Sequence, residues 1–176
     1  MVGLMPSREA RFSVNVPPSE LWRFIRDFHS LCTCIPGVER IHVVDGRTAE
    51  LTVKEKVGVV PLVVDLRAQI DSEEPPRRLH ATAKGEHVTM AIDVSLERTA
   101  SGTELVSRFD VRGDGPLKPL VDRLFERRAT ERTAQFAECL ERHFSGAPAA
   151  ALPVGWRTRL WRRLQRLLKV PWRPSS

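Results

Sequence analysis

The sequence predicts an α+β fold in which one curved antiparallel sheet wraps a long C-terminal helix. Three observations carry this. A short helical pair follows the first strand-like run, six further strand-like runs succeed one another without a helix between them, and after Gly113-Asp114-Gly115-Pro116 the apolar period becomes that of a helix. With 176 residues, 41% of them hydrophobic, the chain suffices for one domain with a real core and an appendage.

Residues 9–16 put Phe12, Val14 and Val16 on one face, as a strand does. Pro17-Pro18-Ser19-Glu20 opens a helix to about residue 27, proline being tolerated in a first turn, with Leu21, Trp22, Phe24 and Ile25 on its apolar side. A second helical piece over 28–35 stops at Pro36-Gly37. Strands over 38–44 and 47–57 are joined through Asp45-Gly46, a hairpin signal. The run 62–71 alternates Leu62, Val64, Leu66, Ala68 and Ile70 against a largely polar face. Pro75-Pro76 precedes the strand 77–86; then come 88–97 and, past Ser101-Gly102, 103–112. Over 117–144 apolar residues recur at three- and four-residue spacing, with Arg128 and Arg132 interrupting the stripe. The order is β-α-α-β6-α, and the long helix is the element large enough to cover the sheet.

A cavity forms between sheet and helix wherever inward residues do not fill the space. By strand and helix parity its wall is Leu51, Leu66, Met90, Ile92 and Phe109 from the sheet, with Leu124, Phe125 and Phe136 from the helix. Ordinary core packing is the competing reading of the same residues. Glu55 breaks the pattern, because it falls on the apolar face of its strand, where a lone carboxylate is costly. Arg128 or Arg132 is its expected partner. Ligand contact, a structural ion pair and a rim position all remain open for Glu55.

The rest of the body argues against a catalytic or metal site. Its histidines, His29, His42, His80, His87 and His143, fit no metal motif, and no Gly-rich loop, serine elbow or Cys/His grouping occurs. There is no tyrosine. Cys32, Cys34 and Cys139 are too few for a disulfide framework and are expected to be small buried thiols in a reduced compartment. The N-terminus lacks the marks of a secretory signal, so a cytoplasmic location is expected.

Charge divides the chain. Residues 145–176 hold seven of the 28 basic residues and no acidic one, leaving 21 basic against 22 acidic residues in 1–144. Residues 145–155, with two prolines and no periodicity, read as a linker. Residues 156–170 read as a basic amphipathic helix about 22 Å long, too short to span a bilayer but able to lie on one. Trp156, Leu160, Trp161, Leu164, Leu167 and Leu168 form its apolar arc, which Arg157 interrupts. Arg159, Arg162, Arg163, Arg166 and Lys169 lie on the rest, and Trp172 follows Pro171. Each cation near an anionic leaflet contributes up to about 1 kcal/mol, and tryptophan suits the headgroup boundary. A helix folded back on its own body or seated in a partner's groove competes with this membrane reading. Nucleic acid is disfavoured, since the body offers no reading module.

Three strings, Cys34-Ile35-Pro36-Gly37-Val38-Glu39, Lys56-Val57-Gly58-Val59-Val60-Pro61 and Glu74-Pro75-Pro76-Arg77, together with the element order, resemble the START-like (SRPBCC) helix-grip superfamily. Within it, the chain is most similar, over residues 9–144, to the G-subunit family of carbon monoxide dehydrogenase. It departs from that family's glycine-rich pattern at residues 83–90. The resemblance implies a non-catalytic accessory protein that recruits a molybdenum hydroxylase such as CO dehydrogenase to the inner face of the cell membrane. It also implies a lipophilic ligand, such as a quinone, in a cavity whose mouth would lie at Phe28, Leu31 and Ile35. The alternative within the superfamily is a cyclase- or hydrolase-like enzyme acting on a hydrophobic substrate.

Overall fold

The computed structural model describes residues 7–145, without the side chain of Val57. The basic segment expected over 156–170, and all of the expected linker but its first residue, lie outside the described residues. That first residue, Ser145, is the last of the long helix rather than part of a linker.

The chain runs β1 (Ser7–Val14), α1 (Pro18–Arg26), α2 (Phe28–Cys34), β2 (Val38–Val43), β3 (Thr48–Val57), β4 (Val60–Glu74), β5 (Arg78–Lys84), β6 (Val88–Thr99), β7 (Gly102–Gly113), a 3-10 turn (Gly115–Leu117) and α3 (Lys118–Ser145). The order is the expected one. All seven strands form one antiparallel sheet, β1-β7-β6-β5-β4-β3-β2. α1 and α2 therefore carry the chain from β1 at one edge to β2 at the other, and β1 pairs with the last strand, which brings the two ends of the domain together.

Local chemistry sets the element boundaries. Pro18 starts α1, and the apolar side of that helix (Leu21, Trp22, Phe24, Ile25) is buried. Asp27 ends α1 and caps α2, its carboxylate accepting from the backbone N–H groups of His29 (3.3 Å) and Ser30 (3.2 Å) and from the Ser30 hydroxyl (2.5 Å). The Ser30 hydrogen bond outweighs partial burial and holds the Asp27 carboxyl below its ordinary pKa. β4 is longer than its alternation predicts. It begins at Val60 because a two-residue turn joins it to β3, and a register shift between Ile70 and Ser72 carries it on to Glu74.

The core sits at one end of the sheet. Val14, Val16, the apolar side of α1, Cys34, Ile70, Leu79, Ala81, Leu96, Leu105 and Leu140 are buried together. Leu140 is the one buried residue of α3, whose C-terminal turns are held here. Phe136 meets Phe12 with ring centroids 5.8 Å apart, and Phe144 meets Phe24 at 5.5 Å. A network of Arg26 with Glu73 (2.5 Å), Arg47 with Glu73 (3.4 Å) and the Arg26 guanidinium donating to the Gly46 carbonyl (2.9 Å) ties α1 to the sheet. Cover of the sheet is thus shared: α3 lies along β7 and β1, and α1 closes the core end.

The cysteines correct the expectation of three separate thiols. Cys34 and Cys139, 105 residues apart, form a disulfide with Cα atoms 5.3 Å apart, while Cys32 is free and buried. Burial, and secondarily the Asp27 charge, pushes the Cys32 thiol up to about 11, so it is a poor nucleophile. Unfolded without reductant, the protein should accordingly take up one alkylating group per chain, and after reduction three. Mass spectrometry reads both numbers; three groups before reduction would refute the bridge. Separately, Leu140→Ala should cost about 2–5 kcal/mol in denaturant unfolding, since it empties the contact that seats α3.

Candidate functional site

Away from the core end, the inner face of the sheet is only partly covered. Leu51, Leu66, Met90 and Phe109 on the sheet, and Leu124 and Phe125 on α3, are all half-buried and outside the core cluster. The sheet register aligns them. Leu51 is opposite Leu66 between β3 and β4, and Met90 is opposite Val111 between β6 and β7. Ile92 is opposite Phe109 and, with Phe136, packs against the core, so these two expected wall residues stand at its boundary. Phe28 and Leu31, expected at a mouth, also pack against the core, while Ile35 beside them is half-buried.

One ionic pair crosses this partly covered space. Glu55, on the inner face of β3, accepts a short hydrogen bond from the Arg132 guanidinium of α3. The side chains are 22% and 27% exposed, so the pair is neither a surface ornament nor fully desolvated. Its Arg132 Nε is buried without a hydrogen-bond partner. The second expected partner, Arg128, turns outward to Glu131 at 2.8 Å. Both arginines lie on one helical stripe four residues apart, and only the position of the sheet distinguishes them.

Gly37 sets the turn that lies beside this pair. Its φ is +87°, and a Cβ there would stand 2.8 Å from the Lys54 carbonyl oxygen and 3.6 Å from an Arg132 nitrogen. The Lys54 N–H donates to the Gly37 carbonyl at 2.8 Å, which locks the Pro36-Gly37 turn onto β3 beside Glu55. The Cys34–Cys139 bridge fixes the same turn to α3 from its other side. No sequence signal marks that bridge, because spacing says nothing about residues on separate elements.

The remaining polar groups lie elsewhere. His80 is on the outer face, its Nδ1 2.7 Å from Asp93 and its Nε2 3.8 Å from Asp71. His87 lies 3.3 Å from Asp114 near the start of α3. Among the described residues, no three His, Cys, Asp or Glu side chains are grouped as metal ligands.

Residues 11–145 match the family model for the G subunit of carbon monoxide dehydrogenase (CoxG). The chain belongs to the CoxG family. No curated protein matches it in sequence. Among solved structures, a conserved protein from Geobacillus kaustophilus aligns with a TM-score of 0.68 at 14% identity, covering 80% of this chain and 96% of that one. A Thermus thermophilus protein aligns at 0.62 with 18% identity over 82% and 100% of the two chains. An aromatase/cyclase from a Streptomyces species aligns at 0.60 with 14% identity over 84% and 99%. At these identities the likeness establishes the helix-grip fold and nothing about chemistry.

The pair should be coupled energetically. In a double-mutant cycle of Glu55→Gln and Arg132→Gln, the double variant should be more stable than the sum of the single losses by about 0.5–3 kcal/mol. Additive losses would show that the pair does not bridge β3 and α3.

Proposed function

We propose that this CoxG-family protein is a non-catalytic accessory protein of a molybdenum hydroxylase of the CO dehydrogenase type, and that it carries a lipophilic molecule such as a quinone. The observation that carries the ligand reading is the inner face. Six half-buried apolar side chains share it with the Glu55–Arg132 pair, rather than closing into a core. Such a lining suits a ligand with an apolar body and a polar head, few fixed polar groups being enough to orient it. A quinone fits this description, its carbonyl oxygen accepting from the Arg132 guanidinium.

The membrane part of the proposal rests on the sequence of the basic segment. Six cations and an apolar arc with Trp156 and Trp161 would hold the protein reversibly on an anionic inner leaflet. Among the described residues no helix is long and apolar enough to cross a membrane. A cytoplasmic, peripheral position would put the body within reach of both enzyme and lipid.

A cyclase-like enzyme is the second reading, supported by the aromatase/cyclase that shares the fold. It would need Glu55 as a free acid or base. The engagement of Glu55 by Arg132 favours the carrier instead.

A short-chain quinone at a hundredfold excess over its Kd should stabilise the protein by about 2.7 kcal/mol, a rise of several degrees in Tm. Leu66→Trp, which fills the lining, should remove that shift. No shift with any quinone, or an equal shift in the Trp variant, would defeat the carrier reading. Deleting residues 146–176 should leave a folded body that no longer sediments with phosphatidylglycerol vesicles; undiminished sedimentation would defeat the tail reading.

A further inference from the structure

The β3–β4 hairpin has a surface that folding does not require. Val57 and Val60 close it around Gly58-Val59, and Gly58 has φ +63°. Glycine at the first central position of a two-residue loop is the type II′ arrangement, whose twist matches the strands. The position after it tolerates polar residues well and gains nothing from an apolar one. Here it is Val59, 98% exposed, followed by Val60 at 61% and Val63 at 55%. Val44 is the only other large apolar side chain standing exposed among the described residues, so three of the four lie on this hairpin.

The hairpin also projects. Lys84, the last residue of β5, is opposite Arg67, and the turn after it closes against Asp65 and Leu66. Residues 60–64 therefore have β3 on one side and no strand on the other, making a two-stranded ribbon about 15 Å long. Lys56 is exposed beside the tip, and no acidic residue occurs from 56 to 64. Glu55 faces inward to Arg132, and Asp65 accepts from the Thr52 hydroxyl at 2.7 Å.

We propose that this hairpin tip dips into the headgroup region of an anionic lipid bilayer. Small apolar side chains enter the acyl boundary while Lys56 stays at the phosphates. A protein groove is the poorer match, because the tip carries none of the Trp, Tyr or Arg anchors that dominate such contacts. The inner side of the same ribbon bears Leu62, Val64 and Leu66, all half-buried. A lipophilic molecule leaving the bilayer along it arrives at the space spanned by Glu55 and Arg132. This inference deepens the proposed function and rests on its membrane and carrier readings.

The test uses the full chain with an environment-sensitive fluorophore on Val59→Cys. Cys32 is buried and Cys34 is bonded to Cys139, so labelling without reductant is selective. A second sample carries the label on Ser101→Cys, in the exposed turn at the other end of the sheet. Vesicles of phosphatidylglycerol and phosphatidylcholine should blue-shift the label at 59, with quenching by brominated lipid, and leave the label at 101 unchanged. Val59→Asp with Val60→Asp should weaken partitioning about tenfold at unchanged Tm.

A chain that sediments with vesicles while the label at 59 stays silent overturns the hairpin proposal and leaves the tail reading standing. A shift at 59 that survives Trp161→Glu with Leu164→Glu at undiminished sedimentation supports the hairpin and defeats the tail. A label at 59 that responds to a purified enzyme partner but never to vesicles overturns the lipid assignment. Failure of the full chain to sediment at all overturns both.

Discussion

The seating of α3 at its C-terminal end is the constraint on which the rest of the domain depends. Leu140 enters the core, Phe136 meets Phe12, Phe144 meets Phe24, and Cys139 is bonded to Cys34. All four contacts fall within the last ten residues of the helix. Its other end is set by β7, where a Cβ on Gly113 would come within 2.9 Å of Lys118 and Val121 atoms. Held at both ends, the helix lies along β7 and β1 and meets β3 through the Arg132–Glu55 pair. Leu124 and Phe125 stay half-exposed, as do the sheet residues that face them.

A partly covered apolar face is costly by itself, since each large side chain still touching water forgoes part of the about 1.5–3 kcal/mol that full burial contributes. The core end supplies the compensating stability. α1 contributes four buried large side chains, and the Arg26–Glu73–Arg47 network fastens it. Burial disfavours the Glu73 carboxylate, yet the hydrogen bond and charge of Arg26, then those of Arg47, hold its pKa below the ordinary range. The division is spatial: one end of the sheet is packed for stability, while the other keeps a partly covered apolar face.

Glu55 and Arg132 tie the two parts together. A carboxylate on an apolar strand face needs a counter-charge, and the guanidinium reaches it from the element across the gap. The pair thereby fixes the separation of β3 and α3 while keeping one polar point on an apolar wall. Gly37 lets its turn approach the backbone of β3 closely, and the neighbouring disulfide restrains the same turn. Any change in the pairing of Arg132 would act on the contact that holds helix to sheet.

The element order, the inward parity of each strand and the anomaly at Glu55 were legible in the sequence, because strand and helix periods are local properties of the chain. The division of charge between body and tail was equally legible, being a matter of composition. The tertiary structure alone decided which arginine meets Glu55, since Arg128 and Arg132 share a stripe and differ only in what lies opposite. It alone joined Cys34 to Cys139, placed Phe28 and Leu31 against the core, and left Val59 standing in solvent at the end of a projecting ribbon. Each of these depends on distances between segments far apart in the chain, and such distances are set by how helix and sheet pack, not by the spacing of residues within either.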